Sequence, residues 1–454
     1  MTLPSNTLSQ WQRELAGGRT SSRDLTEQAL DAAMHSSEGA PAFLALHADT
    51  ARASADAIDG LRAAGVPLPP LAGIPISIKD LFDEAGQTTR GGSRVRQDAA
   101  RAASDSVVVQ RLRAAGAVII GRTNLTEFAY SGLGLNPHYG TPRNPWDRAT
   151  GRIPGGSSSG AAISVTDGMA AAAIGTDTGG SVRIPSALCG LTGFKPTANR
   201  VPMDGVLPLS PTLDSIGPLA RSVACCALLD AVLSASQLAI SSPTPLADRR
   251  IALPKTLVFE GIDATVSAAF EAACSVLSAA GARLIDIDVP EFAELGHINR
   301  MGGFIAAEAW AWHADALASR EADYDPRVAV RIRRGQAISA ADYIALLAER
   351  RRWIASVQKR LVDANCDTFL MPTVPVVAPT IASLQENDAL YGSTNLLMLR
   401  NPTLINFLDG CALSLPCHRP GEAPVGITLA SRHGQDAQLL SLGAAVEAAL
   451  AWQD

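Results

Sequence analysis

The sequence predicts an α/β protein whose strands are covered by helices on both faces, and three observations carry that reading. Helical stretches alternate with short apolar runs along the first half of the chain. The run Ala117-Val118-Ile119-Ile120 is apolar at every position, as a strand buried on both faces must be. Hydrophobic residues make up 47% of the 454 residues and charged residues 18%, which suffices for a large core and argues against disorder.

Taken in order, residues 7–65 read as helices. Ser21-Ser22-Arg23-Asp24 opens an apolar-periodic run through Leu25, Ala29, Leu30 and Ala33, and a second run spans Thr50 to Ala64. Pro67, Pro69 and Pro70 mark a boundary. Leu71 to Asp80 then alternates β-branched residues and reads as a strand ending at Lys79. Ser104-Asp105-Ser106 caps a helix from Val107 to Ala115, which Gly116 ends, and Ala117 to Ile120 follows as a buried strand. An Ala-rich helical run is expected between two glycine-dense turns, with a further apolar stretch from Thr166 to Ile174. From about 235 to 395 the texture changes. The Ser/Pro/Thr linker Ser241-Ser242-Pro243-Thr244-Pro245 precedes strands at Ile251-Ala252-Leu253 and Arg283 to Ile287, a Trp- and Arg-rich helical region near 304–360, and a strand from Phe369 leaving into a loop at Pro375.

Several function classes are disfavoured. The formal net charge is −6 and no long basic run occurs, so a dedicated nucleic-acid surface is not expected. No stretch of apolar residues is long enough to suggest a membrane span. The start Met1-Thr2-Leu3-Pro4-Ser5-Asn6 lacks the basic and apolar segments of a signal peptide, so a cytoplasmic protein is expected. The seven cysteines (Cys189, Cys225, Cys226, Cys274, Cys366, Cys411 and Cys417) are scattered without a C-x-x-C pair, and the histidines form no H-x-x-x-H. Free buried thiols and no metal or cofactor are therefore expected.

The chemistry concentrates in Gly155-Gly156-Ser157-Ser158-Ser159-Gly160 and Gly175-Thr176-Asp177-Thr178-Gly179-Gly180-Ser181. Glycine lets other groups approach the main chain closely. A serine hydroxyl beside unpaired N–H groups has what acyl transfer requires, a nucleophile next to an oxyanion hole. Two ordinary helix caps would share this composition. Only four lysines occur (Lys79, Lys195, Lys255 and Lys359). Lys79, flanked by Ile74, Ile76 and Ile78, is either an exposed strand-end lysine or a desolvated base whose pKa falls toward neutrality.

With Gly73 to Asp80, Gly121-Arg122-Thr123-Asn124-Leu125-Thr126-Glu127-Phe128, Arg143-Asn144-Pro145-Trp146-Asp147, Cys189 to Thr197 and Pro424-Val425-Gly426, these segments resemble the amidase signature family. The resemblance covers most of 20–230 and resumes at Met371-Pro372-Thr373 and from Asn406. It implies a central mixed β-sheet covered by helices, in one domain over 1–454. Within it, 65–230 would be the catalytic core, 235–395 a variable pocket region and 396–454 a return to the core. It implies Ser181 as nucleophile, Ser157 after a cis peptide as bridge, and Lys79 as base. The N–H groups of Thr178, Gly179, Gly180 and Ser181 would form the oxyanion hole, with Ser158, Asp177 and Arg183 supporting and Ser131 and Gly132 near the substrate. The implied reaction is hydrolysis of a small carboxylic amide to acid plus ammonia or amine, with carbamates, aryl amides or esters as related substrates and a monomer or homodimer as the working form. The alternative is the amidase-like component of a tRNA-dependent amidotransferase. A G-x-S-x-G elbow centred on Ser158 is disfavoured, because Asp147 to Pro154 upstream is loop-like rather than a strand. Ser356-Val357-Gln358-Lys359 matches S-x-x-K only inside a charged helical stretch. Trp310, Trp312 and Tyr391 are the aromatics expected either to line the pocket or to belong to the core.

Overall fold

The computed structural model describes residue 3, residues 5–237 and residues 244–451. The expected linker at 241–245 thus lies partly outside the described residues, as do residues 1, 2 and 4. Eleven strands form one sheet: β1 Phe43–Leu46, β2 Pro75–Lys79, β3 Val118–Thr123, β4 Ala172–Thr176, β5 Thr192–Lys195, β6 Ile216–Ala220, β7 Arg250–Pro254, β8 Arg283–Ile287, β9 Thr368–Pro372, β10 Cys411–Pro416 and β11 Gly426–Ser431. Their order is β1-β3-β2-β4-β6-β5-β10-β11-β9-β7-β8. β2 runs parallel to β3 and β4, and β7 runs parallel to β8 and β9, whereas the remaining pairs are antiparallel. The sheet is therefore mixed.

Parallel neighbours need crossovers, and helices supply them. Val107–Ala114 joins β2 to β3, Ser159–Thr166 lies between β3 and β4, and Ala264–Ala279 joins β7 to β8. β2 to β6 are buried at every position, including the polar residues Ser77, Lys79, Arg122, Thr123, Thr192 and Lys195. β8 lies at the sheet's end and exposes Arg283 and Asp286, charges that discourage further pairing at an edge. The helix starts are capped by hydroxyls at the expected places: Ser21 accepts from the Asp24 N–H and Ser106 from the Val109 N–H.

Two stretches differ from the sequence expectation. Phe43–Leu46, inside the region read as helical, pairs antiparallel with β3 and forms the edge strand β1. The Ala-rich stretch between the glycine turns is divided. Ser159–Thr166 is helical, Gly168 turns the chain at φ 67°, and Ala172–Thr176 enters the sheet as β4. Alanine favours helix locally, but pairing with β2 and β6 decides the outcome.

The centre of the sheet is packed to the limit of backbone contact. A Cβ added at Gly217 on β6 would lie 1.9 Å from the Phe194 carbonyl oxygen of β5, a main-chain atom that cannot turn aside. Gly217→Ala is expected to lower the unfolding free energy by about 3 kcal/mol, read by urea denaturation. A midpoint equal to that of the parent would show that the two strands can separate without loss.

Candidate active site

Lys79 closes β2 and is fully buried. Its Nζ donates to Ser157 Oγ at 2.7 Å and to Thr176 Oγ1, on the neighbouring β4, at 2.9 Å. Among the described residues no carboxylate reaches ion-pair distance of this amine. Burial lowers its pKa to about 7, against the more distant pull of the Asp177 and Asp214 carboxylates. The amine is thus poised to be neutral near physiological pH.

Ser157 follows a cis Gly156–Ser157 peptide bond at the start of the helix Ser159–Thr166. This first turn is fixed by close main-chain contacts. The Gly156 N–H donates to the Gly132 carbonyl at 2.8 Å, and the Thr126 N–H donates to the Ser157 carbonyl at 3.1 Å. A Cβ at Gly156 would lie 2.4 Å from the Gly134 nitrogen, so only glycine fits there. The first turn joins the second through the Ser158 N–H, which donates to the Ser181 carbonyl at 3.3 Å. The Ser158 hydroxyl itself is buried without a partner.

Ser181 sits at the end of the second turn, just before the helix Arg183–Cys189, and is 3% exposed. Its hydroxyl makes no hydrogen bond to a described residue. The main-chain N–H groups of Thr178, Gly179 and Ser181 are likewise unpaired among the described residues. The Gly180 N–H, also expected to point at a developing oxyanion, instead donates to Asp177 Oδ1 at 2.9 Å. The turn folds back on its own carboxylate at that point, leaving three N–H groups available beside Ser181.

A buried ion pair holds this loop. Asp177 accepts from Arg183 Nη2 at 2.9 Å and Nε at 3.0 Å, from Asn406 Nδ2 at 2.9 Å and from the Val182 N–H at 3.2 Å. Burial alone would raise the Asp177 pKa, but Arg183, Lys195 and Asn406 outweigh it and hold the carboxyl well below its usual range. Arg183 also donates to Asn406 Oδ1 at 2.6 Å and to the Pro402 carbonyl at 3.0 Å. On the other side Thr178 Oγ1 donates to Asp214 at 2.5 Å, and burial raises Asp214 to about 6.

Ser131 and Gly132 lie against the helix Asp388–Leu408. Ser131 Oγ donates to Asn395 Oδ1 at 2.8 Å and accepts from the Tyr391 hydroxyl at 3.0 Å, while the Gly132 N–H donates to the same Asn395 oxygen at 2.9 Å. A cavity of about 370 Å³ is walled by Tyr130, Phe304, Asn395, Leu399 and Thr403 among others. It abuts the second turn, because Thr403 Oγ1 and Leu399 lie 3.2 and 3.5 Å from where a Gly179 Cβ would stand. Trp310 and Trp312 are not on its wall. Trp310 packs against the apolar cluster that contains Phe128, and Trp312, 40% exposed, meets the Phe128 ring at 6.1 Å between centroids. Tyr391 is buried and serves Ser131.

The sequence reading did not single out Thr176, Asp214, Asn395 or Asn406. Thr176 stood within the second glycine stretch and Asn406 opened the returning segment, but Asp214 and Asn395 carry no local signal. No group of His, Cys, Asp and Glu among the described residues could hold a metal ion. No described helix is long and apolar enough to cross a membrane.

Comparison with known proteins places the chain in a family. The family model for Amidase matches residues 24–440. The chain is 36% identical over 401 residues to a 2-amino-5-chloromuconic acid deaminase from Comamonas testosteroni, covering 88% of this chain and 86% of that one. It is 34% identical over 459 residues to the A component of the glutamyl-tRNA(Gln) amidotransferase of Synechococcus sp. (strain WH7803), covering 93% and 92%. A solved amidase superposes with a TM-score of 0.86 at 30% identity, over 98% of this chain and 99% of that one. A family match over most of the chain, together with relatives above 30% identity along most of their length, shows that this protein belongs to the amidase family, enzymes that hydrolyse carbon–nitrogen bonds other than peptide bonds.

Proposed function

We propose that this amidase hydrolyses a small carboxylic amide through a seryl acyl-enzyme, with Ser181 as nucleophile, Ser157 as proton bridge and Lys79 as base. The observation that carries the reading is the 2.7 Å contact between a buried, carboxylate-free Lys79 amine and Ser157 Oγ, in the turn whose Ser158 N–H donates to the Ser181 carbonyl. Ser181 Oγ attacks the amide carbon as its proton passes to Ser157 and the Ser157 proton passes to Lys79. The N–H groups of Thr178, Gly179 and Ser181 stabilise the oxyanion, each such donor contributing about 3 kcal/mol. Lys79 then returns a proton through Ser157 to the leaving nitrogen, the C–N bond breaks, and water releases the acid from Ser181 by the same relay. Asp177 and Arg183 hold the loop rather than react, and Ser158 supports the junction of the two turns. Residues 235–395, together with the rest of the helix Asp388–Leu408, shape the pocket around the core at 65–230.

The likeness to the glutamyl-tRNA(Gln) amidotransferase component favours a second reading, in which the chain releases ammonia inside a complex. Amide hydrolysis by the isolated chain supports the first reading; activity only with a co-purifying protein supports the second.

Ser181→Ala is expected to reduce kcat by at least ~10⁴-fold, and a fluorophosphonate probe should label the Ser181 peptide in the parent. Label found on Ser157 or Ser158 reverses the assignment.

Because the base must be neutral, kcat/KM is expected to rise tenfold per pH unit below about 7 and to level off above it. Lys79→Arg should be inactive at every pH, since guanidinium does not give up its proton. An active arginine variant sinks the relay.

Asp177→Asn leaves the Arg183 cation buried without its counter-charge. We expect a loss of about 3–5 kcal/mol in urea unfolding; a loss below about 1 kcal/mol would show that Asn406 and the Pro402 carbonyl suffice.

A further inference from the structure

The cavity beside the Gly179–Ser181 turn carries a charge pattern that amide chemistry alone does not require. Three guanidinium groups, Arg331, Arg334 and Arg400, lie on its wall, and no Asp or Glu does. In a chain of net charge −6 this is a local reversal of sign. None of the three forms an ion pair with Asp or Glu among the described residues. Each is held by main-chain carbonyls instead: Arg331 Nη1 by Tyr130 at 2.6 Å, Arg334 Nη2 by Arg300 at 3.0 Å, and Arg400 Nη2 by Val258 at 2.9 Å.

The contrast lies within one short segment. On the helix Pro326–Arg333, Arg327 pairs with Asp388 and Arg333 with Glu321, whereas Arg331, turned to the cavity, has no acid. Arg331 Cζ also lies 5.2 Å from the Tyr391 ring centroid, a ring it shares with Arg327 at 4.4 Å. Arg331 and Arg334 both act electrostatically on the Tyr130 phenol, and all three residues wall the cavity. The remaining wall is apolar, from Phe304, Leu399 and Leu404.

Arg331 is half-buried, and the Tyr130 carbonyl that accepts from it does not neutralise its charge; Arg334 is exposed and keeps its water. A carboxylate neutralises the Arg331 charge with charge-assisted hydrogen bonds, and a guanidinium fork matches the two carboxylate oxygens. We propose that the substrate is an anion: a small amide carrying a free carboxylate, held by Arg331 and Arg334, with a short carbon spacer along the apolar wall reaching the amide at Ser181. A monoamide of a short dicarboxylic acid has this form. Arg400 adds to the positive field without touching the carboxylate, since its donors face Val258, Glu260 and Asn401. The proposal rests on the assignment of Ser181 as the nucleophile.

The test is protection of Ser181 from a fluorophosphonate probe in the full-length chain by succinamate, glutaramate and adipamate, each beside its uncharged methyl ester. At least one anion is expected to protect with an apparent affinity about 10–100-fold above that of its ester, the range for one or two charge-assisted hydrogen bonds. Arg331→Gln and Arg334→Gln should each weaken protection by the anion about tenfold or more and bring the anion-to-ester ratio toward one. If either variant misfolds, the parent supplies the same information. Raising salt from about 0.05 to 0.5 M should weaken protection by the anion and leave the ester unchanged. Equal protection by acid and ester, no protection by any anion, or glutamine variants with the parent's ratio overturns the proposal. Absence of label on Ser181 without competitor instead removes the nucleophile assignment on which the proposal stands.

Discussion

Everything in the catalytic region follows from burying the Lys79 amine without giving it a carboxylate. A carboxylate in contact would hold the ammonium charged and leave no neutral amine beside Ser157. Two acids are near enough to pull on Lys79, yet both are engaged elsewhere: Asp177 with Arg183 and Asn406, Asp214 with the Thr178 hydroxyl and two main-chain N–H groups. Desolvation therefore wins, and the groups that keep these acids occupied are the ones that fix the Thr178–Ser181 loop. Lys195 shows that burial alone does not make a base. It is equally buried and its pKa falls to about 8, but its amine donates to the Pro196 and Gly410 carbonyls at 2.7 Å each and faces no hydroxyl.

The sequence made the central part of this arrangement legible because its constraints are local. Glycines that must admit main-chain contact, such as Gly156, cannot be replaced without collision, so they cluster visibly around the serines they position. β2 was readable because both its faces are covered, and Lys79 stood out within it as one lysine of four. β1 was not readable. Phe43-Leu44-Ala45-Leu46 has no feature that separates a short edge strand from a helical turn, and pairing with β3 is what decides. The alanines at 171–173 misled for the same reason, since their intrinsic preference opposes the sheet position that neighbours impose.

The cavity beside the Gly179 turn was illegible for a different reason. Its wall gathers Tyr130, Phe304, Arg331 and Leu399, which are far apart in the chain. Arg331-Ile332-Arg333-Arg334 reads as a solvated basic patch, and only the rotation of the helix tells that Arg333 finds Glu321 while Arg331 turns inward. Trp310 and Trp312 drew notice because tryptophan is rare and large, but size is no guide to which side of a helix meets the cavity.

One element couples the two parts. The 21-residue helix Asp388–Leu408 presents Asn395, Leu399 and Thr403, four residues apart, along one stripe, and these three wall the cavity. Pro402 and Asn406, four apart on an adjacent stripe, take the Arg183 guanidinium through a carbonyl and an amide oxygen. The same helix thus sets the pocket wall with one face and braces the Asp177–Arg183 pair with the next. Side chains on the first stripe can change the ligand's surroundings without entering the ion pair. A shift of the helix as a whole moves the Gly179 contact and the Arg183 contact together. The cavity wall is therefore free to vary at the level of side chains and tied to the Asp177–Arg183 loop at the level of the backbone.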